Sequence, residues 1–146
     1  KNLLIMGKTG LGKTFLCNSI AKRVLDSGFT VIYISAGRLF KTLSDEQFNR
    51  SEEEEYNSFF DDVLSVDLLI IDDLGTEFST TLVSAQIFNI INERMVNSRA
   101  TIVSTNLTPD RLKEQYSDRV LSRMTDGFEF LTLTGDDIRI KKRFMR

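Results

Sequence analysis

The residues best suited to chemistry lie in a glycine-rich loop near the start of the chain. Gly7-Lys8-Thr9-Gly10-Leu11-Gly12-Lys13-Thr14 fits the pattern G-x-x-x-x-G-K-[ST], and it follows an apolar strand pattern and precedes a helical one, as that motif requires. In such a loop backbone N–H groups converge on a phosphate, a lysine reaches the β- and γ-phosphates, and the hydroxyl ligates Mg²⁺. The predicted nucleotide-binding residues are Gly7, Lys8, Thr9, Gly10, Leu11, Gly12, Lys13, Thr14 and Phe15.

Two acidic residues end a buried strand pattern. Leu68-Leu69-Ile70-Ile71 is followed by Asp72 and Asp73, and open α/β sheets bind ligands at the carboxyl ends of their strands. We predict that Asp72 holds Mg²⁺ through its water shell, and that Asp73 orients or deprotonates the water that attacks the γ-phosphate. A hydrolytic ATPase more often has glutamate at the second position, so Glu77 is a reserve candidate for the base.

A polar amide ends the next strand pattern. Ser104-Thr105-Asn106 follows the apolar residues 100–103, and the carboxyl ends of parallel strands meet at one edge of a sheet. Asn106 is therefore a candidate for positioning the attacking water.

The composition excludes several other kinds of chemistry. The 146 residues include no His, which removes Ser-His-Asp and Cys-His catalysis and His-based metal sites. Cys17 is the single cysteine, which excludes an internal disulfide or an all-cysteine metal cluster and fits a cytoplasmic location; we predict that it is a small core residue. No apolar run approaches the roughly 20 residues that span a bilayer, so we expect no membrane contact.

Strand and helix patterns alternate along the chain. Apolar strand patterns occupy residues 2–6, 29–34, 67–72, 100–104 and 128–133, with amphipathic helical patterns between them. This alternation predicts one α/β domain over residues 1–146, with a five-stranded, mainly parallel sheet and helices on both faces. The chain starts one residue before its first strand, so we expect a domain excised from a longer protein with a partner-binding region upstream.

Several helices have recognisable ends and faces. Gly28 ends the helix that carries Cys17 and Leu25, Ser35 caps a short helix with Leu39 and Phe40, and Ser51 with Glu54 forms a capping-box pattern before Phe59 and Phe60. Further helices are predicted at 78–97, with Val83, Ile87, Ile91 and Met95 on one face, after Thr108-Pro109, and at 118–124.

In combination these motifs resemble the DnaC/IstB group of AAA+ ATPases, which includes helicase loaders of the DnaC and DnaI type and transposition helpers of the IstB type. The resemblance implies a P-loop NTPase fold of the AAA+ type with ATP or ADP and Mg²⁺ as ligands. It also implies that the strand before Asn106 lies between the other two motif strands. The matching segments, in order, are Gly7–Thr14, Val66–Gly75, Ser104–Asn106, Asp118–Met124 and Gly135–Arg139.

The resemblance also assigns roles to late arginines. It implies that Arg123 is an arginine finger for the nucleotide of a neighbouring subunit, with Arg119 as a second candidate, and that Arg139 acts as the sensor-2 arginine on its own subunit. A guanidinium aimed at the γ-phosphate is worth about 10³–10⁵ in rate. A finger supplied in trans implies self-association and weak activity in a monomer.

Members of this group grip single-stranded DNA in a spiral assembly, and the segment from Arg38 to Arg50 interleaves bases with aromatic residues. We predict that Phe48 stacks on bases and that Lys41 or Arg50 contacts phosphate. The alternative is that Phe40 belongs to the core and Phe48 anchors a loop.

The function implied is the ATP-hydrolysing domain of a loader that places a replicative ring helicase on single-stranded DNA, through a region outside this chain. An IstB-like transposition helper is the alternative within the group. Two other classes remain open: a P-loop kinase of a small metabolite, with the late arginines as a lid, and a nucleotide-binding switch that hardly hydrolyses. ADP formation without an added acceptor separates the kinase from the ATPases.

Overall fold

Residues 1–49 and 58–145 are described by a computed structural model in which strands and helices alternate along the chain. The five strands and seven helices of this described part are β1 (Asn2–Met6), α1 (Lys13–Asp26), β2 (Val31–Ser35), α2 (Ala36–Asn49), α3 (Phe59–Ser65), β3 (Leu68–Leu74), α4 (Thr81–Val96), β4 (Ala100–Thr105), α5 (Pro109–Tyr116), α6 (Asp118–Gly127), β5 (Phe128–Thr132) and α7 (Ile138–Phe144).

The strands form one sheet in the order β2-β3-β4-β1-β5, and every pair is parallel. The predicted five-stranded parallel sheet is therefore confirmed, as is the placement of β4 between the two motif strands β1 and β3. Met6 pairs with Thr105, and Ser35 pairs with Asp72. This register brings the glycine-rich loop, the two acids and the polar end of β4 to the same edge of the sheet.

Helices cover both faces of the sheet, as predicted. α1 packs against β2, β3 and β4, whereas α2 and α4 pack on the opposite face. Cys17 is fully buried on the α1 face, where burial raises the pKa of its thiol to about 12, so it is a core residue as expected. Leu25, placed on the same apolar face by the sequence pattern, is 54% exposed because it lies in the last turn, beyond the sheet contact.

Several helices differ from their predicted bounds; α6, for example, continues to Gly127 rather than ending at Met124. α2 runs for 14 residues rather than one short segment, and Ser35 accepts a hydrogen bond from its Arg38 N–H at 3.4 Å. The capping box before Phe59 is formed by Ser58 and Asp61, because Ser58 Oγ accepts the Asp61 N–H and the Asp61 carboxylate accepts the Ser58 N–H. Ser51 and Glu54, to which the capping box was assigned above, lie outside the described residues.

α4 starts at Thr81 with Thr80 as its N-cap, three residues later than predicted. Its fully buried face includes Ile90 and Arg94, whereas Met95 is only half-buried. α7 was not predicted as a helix; Asp137 caps it and accepts the Arg139 N–H at 2.8 Å. Within residues 1–49 and 58–145, every helix is too short or too polar to cross a membrane.

Candidate active site

A cleft of about 670 Å³ opens where the carboxyl ends of β1, β3 and β4 meet. Open α/β sheets bind ligands at this edge because loops and helix N-termini converge there. The cleft collects nine of the predicted site residues, from distant parts of the chain. Its lining comprises Thr9, Gly10, Gly12, Lys13, Thr14, Phe15, Asn18, Asp73, Thr76, Asn106, Ile138, Arg139 and Lys142.

The glycine-rich loop is shaped by backbone conformations that favour glycine. Gly10 and Gly12 have φ of 84° and 93°, in the left-handed region, and α1 begins at the next residue, Lys13. The Lys13 side chain folds back over the loop and donates from Nζ to the carbonyls of Gly7 at 2.5 Å and Lys8 at 2.8 Å. Burial lowers the pKa of Lys13, an effect opposed by the nearby Asp73 and Asp72.

The segment before α7 packs directly on this loop. Ile138 N–H donates to the Gly10 carbonyl at 3.0 Å, and the Asp137 carboxylate lies so close that a Cβ on Gly10 would come within 2.1 Å of Asp137 Oδ1. Glycine is thus favoured at position 10 by its φ, and any Cβ there would have to displace the Asp137 carboxylate. The packing places the cations Arg139 and Lys142 on the cleft. Arg139 therefore lies at this chain's own site, where a sensor-2 arginine is expected.

Asp72 is surrounded by hydroxyl groups. The side chain is 6% exposed, and its Oδ2 accepts hydrogen bonds from Thr14 Oγ1 at 3.1 Å and Tyr33 OH at 2.8 Å. Ser104 Oγ donates to Oδ1. Burial, followed by the hydrogen bond to Asp72, raises the pKa of Tyr33, so its hydroxyl is a donor at neutral pH. Thr14 and Asp72 thus lie together, as their predicted role as a metal pair requires.

Asp73 lines the cleft in an unusual backbone conformation. Its φ is 55°, and its N–H donates to Ser104 Oγ at 3.0 Å, so Ser104 contacts both acids. Asn106 also lines the cleft, and its Nδ2 donates to Thr9 Oγ1 at 3.1 Å. Asp73 and Asn106 thus line the same cleft as the glycine-rich loop.

Glu77, the reserve candidate for the base, is hydrogen-bonded to two groups that are not among the residues lining the cleft. Its carboxylate accepts the Gly75 N–H at 3.0 Å and the hydroxyl of Tyr116. Burial raises the pKa of Tyr116, and the hydrogen bond to Glu77 adds to this effect. Glu77 thus fastens the loop after β3 to α5 and is not among the described residues that line the cleft, whereas Asp73 is.

The donor set at the cleft fits a magnesium nucleotide. Thr14 and Asp72 offer hard oxygen ligands 3.1 Å apart, next to a cationic loop. Mg²⁺ is usually held by one or two carboxylates together with phosphates and water, rather than by a cage of protein ligands. Accordingly, within the described part of the chain no group of three or more His, Cys, Asp or Glu side chains is placed to hold a metal.

Arg119 and Arg123 lie on α6, outside the cleft lining of the described residues. The Arg119 guanidinium lies 4.4 Å from the centroid of the Phe88 ring. Arg123 is half-buried and lines a shallow pocket together with Arg119 and Phe88. Its Nε has no hydrogen-bond partner among the described residues. Placement away from this chain's own nucleotide cleft is what a finger for a neighbouring subunit requires.

Phe48 and Lys41, two of the residues proposed for DNA contact, are not among the described residues that line the cleft. Phe40 is 3% exposed and belongs to the core, as the alternative interpretation held, whereas Phe48 is 81% exposed near the end of α2. Lys41 is exposed and forms an ion pair with Asp45 at 2.7 Å. Arg50 lies outside the described residues.

Tyr33, Ser104 and Arg94 were missed by sequence reasoning. Arg94 had a readable signal, because it follows Ile87 by seven residues and Ile91 by three, on the buried side of a helix. Tyr33 and Ser104 carried a weaker signal: each is a residue with a hydroxyl group that lies within a predicted strand. Their common partner depends on strand order.

Comparison with known proteins agrees with this geometry. The family model for the IstB-like ATP binding protein matches residues 1–145. The chain is 28% identical to the replicative helicase loader DnaC of Escherichia coli K12, over 86% of this chain and 51% of that protein. It is 27% identical to the replicative helicase loader DnaI of Bacillus subtilis 168, over 80% of this chain and 37% of that protein.

A solved structure shows the same architecture. The replication initiator DnaA bound to AMPPCP and single-stranded DNA superposes with a TM-score of 0.80 at 26% identity, over 99% of this chain and 45% of that one. The chain therefore spans about half the length, or less, of the relatives it matches. The predicted resemblance and the AAA+ type of P-loop fold are confirmed, and the chain belongs to the family of IstB-like ATP binding proteins.

Proposed function

We propose that this domain binds ATP with Mg²⁺, hydrolyses it, and acts as the ATPase core of a replicative helicase loader on single-stranded DNA. The observation that carries the proposal is the convergence of Lys13, Thr14, Asp73, Asn106 and Arg139 on one cleft. The loader role is supported by the DnaC and DnaI relatives, and the DNA contact by the DnaA neighbour. The contact with a helicase belongs to the longer protein, and the partner-binding region expected upstream stays a prediction.

The chain's own residues account for each part of the hydrolysis. The loop N–H groups and Lys13 hold the β- and γ-phosphates, and Thr14 with Asp72 holds Mg²⁺, which neutralises phosphate charge when bound. Asn106 orients a water; its oxygen bonds to the γ-phosphorus as the bond to the β-phosphate oxygen breaks, and Asp73 takes the proton. The products are ADP and phosphate. Arg139 stabilises the charge that develops on the γ-phosphate oxygens.

An IstB-like transposition helper is the second candidate, favoured by the family that the chain matches. It uses the same cleft and the same hydrolysis, and it differs in the partner that the ATP state controls. The small-metabolite kinase has less support, because Asp73 and Asn106 line the same cleft as the glycine-rich loop and are residues that suit water as the acceptor.

The experiment that tests the proposal measures ATP hydrolysis against protein concentration, with and without single-stranded DNA and with Lys13→Ala as the blank. We expect specific activity to rise with concentration and with DNA, because an arginine from a second subunit completes the site. We expect Lys13→Ala to give no turnover, since the ammonium group that contacts the β- and γ-phosphates is removed. Specific activity that is independent of both variables would contradict an assembling loader, and absence of ADP would contradict the ATPase.

DNA contact by α2 is tested separately. We expect Phe48→Ala combined with Lys41→Ala to weaken binding of fluorescent single-stranded DNA about tenfold, because base stacking on an aromatic contributes about 1–3 kcal/mol per base. The matched control is Phe29→Ala with Lys22→Ala, since Phe29 is 57% exposed and Lys22 forms an equivalent ion pair with Asp26. Equal affinities of the two double variants would exclude α2 as a DNA contact.

A further inference from the structure

The Asp72 carboxylate is held from three separate elements. Thr14 reaches it from α1, Tyr33 from β2 and Ser104 from β4, each through a hydroxyl donor. Tyr33 and Thr14 donate to the same oxygen, Oδ2, at 2.8 and 3.1 Å, whereas Ser104 donates to Oδ1. Both oxygens are therefore oriented by groups outside the glycine-rich loop.

Tyr33 on β2 contacts Asp72 on the neighbouring strand β3 along a diagonal of the sheet. In the register of β2 and β3, Tyr33 pairs with Ile70, and Asp72 pairs with Ser35, two residues further along. Side chains two residues apart lie on the same face of a strand, so the phenol ring extends along the sheet toward the cleft. The aromatic body packs against the α1-side core, where Ile70 is buried, and the hydroxyl alone meets the carboxylate.

Thr14 is the one donor of the three that is itself a predicted magnesium ligand. Its oxygen can ligate Mg²⁺ through a lone pair while its proton is still donated to Asp72, so Tyr33 and Ser104 are the two donors that hold the carboxylate without contacting the metal. We propose that Tyr33 is a positioning residue of the magnesium site: its hydroxyl holds Asp72 Oδ2 so that the carboxylate is already oriented toward the metal's water shell. The inference rests on the proposed function, because it assumes that Thr14 and Asp72 hold Mg²⁺.

The effect of losing this hydrogen bond is a weaker magnesium site. Groups that orient a ligating side chain typically contribute 10–100-fold in metal affinity. Ser104 still holds Oδ1 in Tyr33→Phe, so we expect the lower end of that range. The Mg²⁺ concentration that half-saturates tight nucleotide binding should rise about tenfold, whereas nucleotide affinity in EDTA should stay unchanged because Tyr33 does not line the phosphate cleft.

The test is equilibrium binding of a fluorescent ATP analogue to the purified chain, titrated with Mg²⁺ from zero. Tyr33→Phe removes one oxygen from a half-buried side chain and is not expected to impair folding, which circular dichroism checks. The matched control is Thr30→Val, because Thr30 Oγ1 donates to the Asp67 carboxylate at 2.8 Å across the opposite ends of the same two strands. A purely structural weakening of the β2–β3 pair would affect both variants, whereas a positioning role affects Tyr33→Phe alone.

A double-mutant cycle shows whether Tyr33 acts through Asp72. We expect Tyr33→Phe to have no further effect on the Mg²⁺ titration in an Asp72→Asn background, since residues that act as one unit are non-additive. A wild-type chain that binds the analogue equally with and without Mg²⁺ would overturn the proposed metal site. A wild type that responds to Mg²⁺, together with a Tyr33→Phe variant that responds identically, would overturn the positioning role alone.

Discussion

Arg123→Ala is expected to lower the ATP turnover of the assembled protein by about 10³-fold, the lower end of the range for an arginine finger. Nucleotide affinity of the isolated chain should not change, because Arg123 lies outside the cleft lining of the described residues. The place of Arg123 on α6, outside the cleft lining of the described residues, is consistent with a guanidinium that serves the nucleotide of another subunit. Steady-state ADP release at high protein concentration measures the loss.

Mixing two inactive variants tests action in trans. Asp73→Asn removes the proposed base but keeps Arg123, whereas Arg123→Ala keeps the base. If the finger acts between subunits, the mixture regains turnover that neither variant has alone, because Asp73→Asn subunits complete the sites of their Arg123→Ala neighbours. Arg119→Ala is measured in parallel, since Arg119 lies on α6 with Arg123 and is the second candidate for the finger. Full activity of Arg123→Ala with a large loss in Arg119→Ala would reassign the finger.

Arg94→Met is expected to lower the free energy of unfolding by about 3 kcal/mol, because the buried carbonyls that its guanidinium satisfies would be left without partners. Arg94 is fully buried, and burial lowers its pKa to about 10, so it stays charged at neutral pH. Its donors join α4 to the start of β3 and β4. They reach Thr101 Oγ1 and the carbonyls of Val63, Leu64, Val66, Asp67 and Ala100.

The control for this prediction is Arg99→Met. Arg99 forms an ion pair with Asp67 at 2.8 Å in which both side chains are partly exposed, and such pairs contribute roughly 0.2–1 kcal/mol. Urea denaturation followed by circular dichroism compares the free energies of unfolding of the two variants. In thermal denaturation we expect the Tm of Arg94→Met to fall by about 10 °C. Equal stability of the two variants would show that water, rather than Arg94, can satisfy those carbonyls.

Most of the fold could be predicted because it depends on local patterns. Each strand pattern corresponds to a strand whose ends lie within two residues of those predicted, and Thr108-Pro109 starts α5 as predicted. The errors occur where tertiary contacts decide an end or a face. α4 begins at the Thr80 cap rather than at Phe78, and α7 forms after Asp137, whose segment is anchored on the glycine-rich loop through Ile138 and Gly10.

The residues of the candidate site also fall into two groups, those that could be named from local sequence patterns and those that depend on tertiary contacts. Its motif residues carry their chemistry in type and spacing, so Lys13, Thr14, Asp72, Asp73 and Asn106 could be named from the sequence. Their convergence followed from one rule, that parallel strands end at a common edge. The supporting hydroxyls could not be named in this way, because no spacing relates them to Asp72.

The sequence by itself determined the phosphate loop, the acids, the alternating α/β order and the family. Tertiary structure alone decided that Tyr33 and Ser104 meet at Asp72, that Asp137 packs on Gly10, and that Glu77 is tied to Tyr116. Tyr33 and Asp72 are 39 residues apart, and Ser104 and Asp72 are 32 apart. Hydrogen bonds over such separations depend on strand order and register. These are fixed only when the strands assemble and the helices bury the apolar side chains on both faces of the sheet.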